Sequence, residues 1–139
     1  MKPPALHVLV VDDSRAYFEI IARELDGVRA FRSDAKHCPD ASSCLKMLAS
    51  EIVDCVLLDY RLGADSGLEV LTRLRAEGYD HPVIMLTGQG DEQIAVEAMK
   101  GGAQDYIAKD YVTRRRAAPV DLKRGAEGAF GAQPAREAE

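Results

Sequence analysis

Apolar residues along this chain fall into two kinds of run, short continuous blocks and longer spaced stripes, and the two kinds alternate. Leu6-His7-Val8-Leu9-Val10-Val11 is almost unbroken, the pattern of a strand buried on both faces of a parallel sheet. It stops at Asp12-Asp13-Ser14. Tyr17, Ile20, Ile21 and Leu25 then recur at helical spacing, and Gly27 closes that stretch. Residues 35–38 predict a second strand, although they are poor in strand formers. Pro39-Asp40-Ala41-Ser42 opens a helix with Leu45, Leu48 and Ala49 as its apolar stripe. Residues 52–58 form another buried-strand block, and it too ends on an aspartate, Asp59. A loop through Gly63 leads to Ser66-Gly67 and a helix carrying Leu68, Val70, Leu71 and Leu74, with Gly78 at its end. Residues 82–86 predict a fourth strand, stopping at Thr87-Gly88. Residues 91–99 predict a helix through Ile94, Ala95, Ala98 and Met99, terminated by Gly101-Gly102. Residues 103–108 give a short fifth strand that ends at Lys109.

Strand and helix alternating at this pitch imply βαβ units with right-handed crossovers, hence an α/β fold with helices on both faces of a parallel sheet. The last thirty or so residues differ. Arg114-Arg115-Arg116 is a basic run, read as a solvated helix start. Pro119 can open a helix with Leu122, Ala126 and Phe130 on one side. Gly125 and Gly128 would each cost that helix roughly 1 kcal/mol relative to alanine. One domain over residues 5–130 and a disordered tail over 131–139 are the expectation.

Composition narrows the class. A chain of 139 residues that is 47% hydrophobic can bury one proper core. Its formal net charge of -5 disfavours nucleic acid as a partner. No apolar run approaches a membrane span, and Met1-Lys2-Pro3-Pro4 lacks the apolar segment of a secretory signal. The 3 cysteines form no Cys-x-x-Cys pair, so a reducing, cytoplasmic setting is expected, without a disulfide framework. His37, Cys38 and Cys44 can be read as a fragment of a metal site; small residues around a strand and a helix start is the simpler reading.

The chemistry lies at the strand ends. In open parallel sheets, ligands bind beyond the carboxyl ends of the strands, where the strand order reverses. Those ends carry Asp12-Asp13, Asp59, Thr87-Gly88 and Lys109. Three carboxylates on one rim repel, and one close pair costs about 4 kcal/mol at an effective dielectric near 20. Such a cluster raises a carboxyl pKa or binds a hard cation. Magnesium takes oxygen ligands and keeps several waters, which suits a shallow acidic rim. A nucleophile, a cation and fixed donors are the parts that phosphoryl transfer requires.

In that order and spacing, Val-Val-Asp12-Asp13-Ser, Leu-Leu-Asp59-Tyr, Met-Leu-Thr87-Gly and Asp-Tyr106-Ile-Ala-Lys109 resemble the receiver domain of two-component response regulators across residues 6–109. The resemblance implies a flavodoxin-like, doubly wound five-stranded sheet of order 2-1-3-4-5. It implies Asp59 as phosphoacceptor, fed by a sensor histidine kinase or a histidine phosphotransfer protein. Mg2+ would be held by Asp12, Asp13 and Asp59 and by the backbone carbonyl of Arg61. Thr87 and Gly88 would meet the phosphoryl group, Lys109 would pair with it, and Tyr106 would swing inward. The output face would be the last helix, strand and helix, acting on a downstream protein or forming a homodimer.

The chain departs from the usual receiver at three places. Asp110 follows the lysine where proline is usual, so a trans peptide is expected there. Gly63 stands where proline is common in the loop after the acceptor, and Arg61 places a long cation beside the site. Two other readings compete. One is a receiver-like interaction module that works without phosphorylation. The other is a doubly wound phosphatase with an aspartyl nucleophile, which would need an Asp-x-Asp on the first strand; Asp12-Asp13-Ser14-Arg15 does not supply it.

Overall fold

The structure, a computed structural model, describes residues 4–88 and 92–109. Eleven elements follow in order: β1 (Ala5–Val11), α1 (Arg15–Asp26), β2 (Arg32–Cys38), α2 (Ala41–Ser50), β3 (Cys55–Asp59), β4 (Arg61–Leu62), β5 (Asp65–Ser66), α3 (Gly67–Ala76), β6 (Val83–Thr87), α4 (Glu92–Lys100) and β7 (Asp105–Ala108). Five strands form one sheet in the order β2-β1-β3-β6-β7, and every pairing in it is parallel. Counted within the sheet, that is the expected 2-1-3-4-5. The two-residue strands β4 and β5 pair antiparallel as a separate hairpin.

Alternation along the central strands divides the core into two layers. Leu9 and Val11 of β1 join Val56, Leu58 and Met85 beneath Cys44, Leu48, Val70, Leu71 and Leu74. Val8 and Val10 turn the other way, with Leu57, Ile84 and Leu86, against Phe18, Ile21 and Leu25 of α1. Both faces of β1, β3 and β6 are thus covered, which is why their sequences read as unbroken apolar blocks.

Side-chain caps fix where three helices begin. The Ser14 hydroxyl accepts the Tyr17 amide at the head of α1. Asp40 with Ser43, and Ser66 with Glu69, close reciprocal capping boxes on α2 and α3. Each such cap contributes about 1 kcal/mol.

The structure moves several sequence-predicted boundaries. β2 runs the full Arg32–Cys38, longer than 35–38, and pairs with all of β1. Strand-poor composition is tolerated because β2 is a sheet edge, and its residues alternate between exposed and half-buried along most of its length. β3 starts at Cys55, not 52: Ile52 is 74% exposed, and the Asp54 carboxylate instead accepts the His7 amide. On α2 the buried stripe is Ala41, Cys44 and Leu48, with Ala49 turned to solvent. On α1, Phe18 and Glu24 are buried beside Ile21 and Leu25, whereas Tyr17 and Ile20 are half-buried. Met99, expected on the apolar stripe of α4, is 41% exposed. β7 begins at Asp105 rather than 103. The predicted start of α4 at Asp91, the final helix and the tail lie outside the described residues.

Among the described residues no helix is long and apolar enough to cross a membrane. The three cysteines are free and buried, Cys38 and Cys44 in one core layer and Cys55 in the other. Among the described residues the one metal-capable group is Asp12, Asp13 and Asp59, so the reading of His37, Cys38 and Cys44 as a metal fragment is set aside.

Candidate functional site

β1 and β3 are hydrogen-bonded neighbours, Val11 opposite Leu58, so the residues that follow them, Asp12 and Asp59, emerge side by side. Neither has room to leave the pocket: Asp12 is 0% and Asp59 4% exposed. The Asp12 backbone continues the sheet by donating to Cys38 O at 2.9 Å. Its Oδ1 accepts the Ser14 amide at 2.8 Å, which aims Oδ2 back across the rim. Asp13 is exposed and completes the group. One oxygen from each of Asp12, Asp13 and Asp59 lies within 4.8 Å of the others.

Lys109, at the end of β7, answers this charge. Its ammonium lies 3.0 Å from Asp12 Oδ2 and 3.2 Å from Asp59 Oδ2. Asp105 Oδ1 accepts the Tyr106 amide at 2.8 Å, and Asp110 lies outside the described residues. Arg61 contributes its backbone amide, which donates to Asp59 Oδ1 at 3.3 Å, while its exposed guanidinium lies 5.6 Å from the Tyr60 ring centroid.

Burial pushes the Asp59 carboxyl above the ordinary carboxylate value. Lys109 pulls it back down, Asp12 raises it again, and the Arg61 amide and the Lys109 hydrogen bond lower it. Burial outweighs the rest, and the Asp59 carboxyl stays above the ordinary value. Three carboxylate oxygens at one rim are hard donors of the kind magnesium prefers. The donor set fits that ion.

Thr87 ends β6. The Leu86 position is paired with Asp59 and Thr87 with Ala108, so Thr87 stands between the acceptor strand and the strand that delivers Lys109. It is 4% exposed, and Gly88 follows it. Tyr106 belongs to β7 and is 48% exposed, its ring at the surface in this structure. β7 forms the sheet edge on that side among the described strands, and Tyr106 alternates with the buried Ile107.

Two residues take part in the site in roles that the sequence did not point to. His37 Nε2 donates to the Asp12 backbone carbonyl at 2.6 Å, and its ring stacks on Phe18 with centroids 5.0 Å apart. Tyr17 reaches Lys109 with both its hydroxyl and its ring. Helical spacing marked Tyr17 only as a core face; its position one turn after Asp13 was the available signal.

The chain matches the response regulator receiver domain over residues 8–118. It belongs to that family. FixJ of Bradyrhizobium diazoefficiens, a transcriptional regulatory protein, is 34% identical over 119 residues, covering 83% of this chain and 55% of that protein. VirG of Agrobacterium fabrum, a regulatory protein, is 37% identical over 115 residues, covering 80% of this chain and 43% of that one. The solved receiver domain of NtrX from Brucella abortus superposes with a TM-score of 0.67 at 28% identity, over 86% of this chain and 98% of that one. The chain therefore spans about half the length of the curated relatives it matches. It is a receiver domain, a signalling unit of two-component systems, with the flavodoxin-like fold of that family.

Proposed function

We propose that Asp59 of this receiver accepts a phosphoryl group from the phosphohistidine of a sensor histidine kinase or a histidine phosphotransfer protein. The observation that supports this most is the Lys109 ammonium lying between the buried carboxylates of Asp12 and Asp59. In the reaction an Asp59 oxygen attacks phosphorus, the O–P bond forms, the N–P bond of the donor breaks, and the departing imidazole takes up a proton.

Asp12, Asp13 and Asp59, with the backbone carbonyl of Arg61, would hold Mg2+. Bound there, it would neutralise and orient the oxygens of the incoming group. The chain's own residues do the rest. Asp59 is the nucleophile, and its burial excludes bulk water from the acyl phosphate. Lys109 is placed to trade carboxylate for phosphoryl oxygen as charge moves onto Asp59. The Thr87 hydroxyl and the Gly88 backbone are the donors for the remaining oxygens.

The consequence is a population shift. The phosphoryl group adds charge and acceptor oxygens at one end of β3, drawing Thr87 toward it and vacating space into which the exposed Tyr106 ring can turn. The surface of α4 and β7, with the chain that follows, would carry that change to a downstream protein, to an attached output domain or to a second copy. Proposed domain limits are 5–130. The domain promotes its own phosphorylation and dephosphorylation and turns over no other substrate.

The test is to incubate the chain with magnesium and acetyl phosphate and measure its intact mass. One added phosphoryl group, absent in Asp59→Asn, is expected. A wild-type chain that takes up none at any magnesium concentration would favour a phosphorylation-independent binding module.

A further inference from the structure

Lys109 is held by a residue outside the acidic set. Tyr17 stands in the first turn of α1, its amide fixed at 3.1 Å by the Ser14 hydroxyl, directly after the Asp12-Asp13 pair. Its own hydroxyl donates to the Lys109 carbonyl oxygen at 3.1 Å, across 92 residues of sequence. Its ring lies under the other end of the same residue, with the Lys109 ammonium 4.1 Å from the ring centroid. One aromatic side chain therefore grips Lys109 at its backbone and at its charge.

The two grips have different chemistry from the ion pairs. Asp12 and Asp59 attract the ammonium by charge, and both carboxylates exchange partners when a cation or a phosphoryl group enters. The ring face and the phenol meet Lys109 itself, at its ammonium and its carbonyl, so they can hold it while the carboxylates change theirs. A lysine stem is flexible, and an ammonium that meets developing charge is effective only if it is already in place. A cation over an aromatic face is attracted without being neutralised, so the charge remains available to a phosphoryl oxygen.

We propose that Tyr17 is the positioning residue for Lys109, its ring and hydroxyl together holding the ammonium over the acceptor carboxylate. This rests on the phosphoacceptor reading of Asp59. The bland alternative is that Tyr17 only packs: it is half-buried against the α1-side core.

Two variants of the full chain separate these. Tyr17→Phe keeps the ring and removes the bond to the Lys109 carbonyl; Tyr17→Leu removes both. The first readout needs no phosphorylation. The Lys109 ε-methylene proton resonances should be shifted upfield by the ring in the wild type, remain so in Tyr17→Phe and lose the shift in Tyr17→Leu. The second is the rate of Asp59 phosphorylation by acetyl phosphate with magnesium. At saturating donor the rate should fall about tenfold in Tyr17→Leu and less than about threefold in Tyr17→Phe, with the half-saturating donor concentration unchanged. Tyr17→Met carries the same test if Tyr17→Leu unfolds. A phosphorylated wild type matched in rate by the Leu or Met variant overturns the proposal alone, as does an ε-methylene shift indifferent to the ring. A wild type that takes up no phosphoryl group removes the underlying reading and the proposal together.

Discussion

Lys109 and Asp59 are 50 residues apart in the chain and 3.2 Å apart in the pocket. The contact exists because β7 and β3 lie on either side of β6 in a parallel sheet, so their carboxyl ends share one rim. Lys109 thus brings a side-chain cation to Asp59, whose carboxyl burial still holds above its ordinary value. The pocket is thus poised toward more positive charge, and several outcomes follow from that imbalance.

Lys109→Ala should leave Asp12 and Asp59 buried together without their ammonium. Breaking a buried pair costs about 3–5 kcal/mol; Lys109 is 25% exposed, which reduces the expected loss to about 2 kcal/mol. Urea denaturation without divalent ions should show that loss, and added magnesium should restore more stability to the variant than to the wild type.

The raised Asp59 carboxyl sets a sign for pH. The folded chain binds that proton more tightly than the unfolded chain, so this group's contribution is fully favourable below the ordinary value of 3.8 and is lost as pH rises through the folded value. Asp59→Asn removes the effect. In metal-free buffer its urea midpoint should exceed that of the wild type at neutral pH, and the gap should close toward pH 4. A gap that widens on acidification would contradict the burial argument.

Gly67 is the closest joint between the acceptor loop and α3. A Cβ there would stand 2.6 Å from the Asp59 carbonyl oxygen and 2.9 Å from both Tyr60 Cα and Met85 Sδ. Two of those atoms are backbone and cannot rotate away. Gly67→Ala should destabilise the fold by about 2 kcal/mol and slow phosphorylation beyond what the lost stability explains. Gly78→Ala is the control: nothing lies within 4 Å, so only its φ of +89° resists substitution, and phosphorylation should be unaffected.

Burial pushes the thiols of Cys44 and Cys55 up to about 12 and raises that of Cys38. Only thiolates react readily. A thiol reagent at neutral pH should find none of the 3 cysteines in the native chain and all of them after denaturation. Fast labelling of the native chain would mean that the core layers open.

What sequence made legible was whatever depends on strand ends. A strand covered on both faces is an unbroken apolar block, so β1, β3 and β6 announced themselves and placed Asp12, Asp59 and Thr87. The edge strand β2 is covered less and was half missed. Ile52 is apolar by type but sits in a loop, which lengthened β3 on paper. The roles of Tyr17 and His37 escaped because their contacts run to other elements, to Lys109 and to the Asp12 carbonyl. Spacing along one helix or strand carries no information about such pairings. Tyr106 shows the same limit from the other side: alternation said strand, and only the edge position of β7 turns its ring outward.

The central claim is that Asp59 carries the phosphoryl group. Phosphorylate the chain with acetyl phosphate and magnesium, reduce the acyl phosphate with borohydride, and map the reduced residue by peptide mass spectrometry. Reduction at position 59 and nowhere else is the predicted result. Reduction at Asp12, at Asp13 or at no position would contradict it.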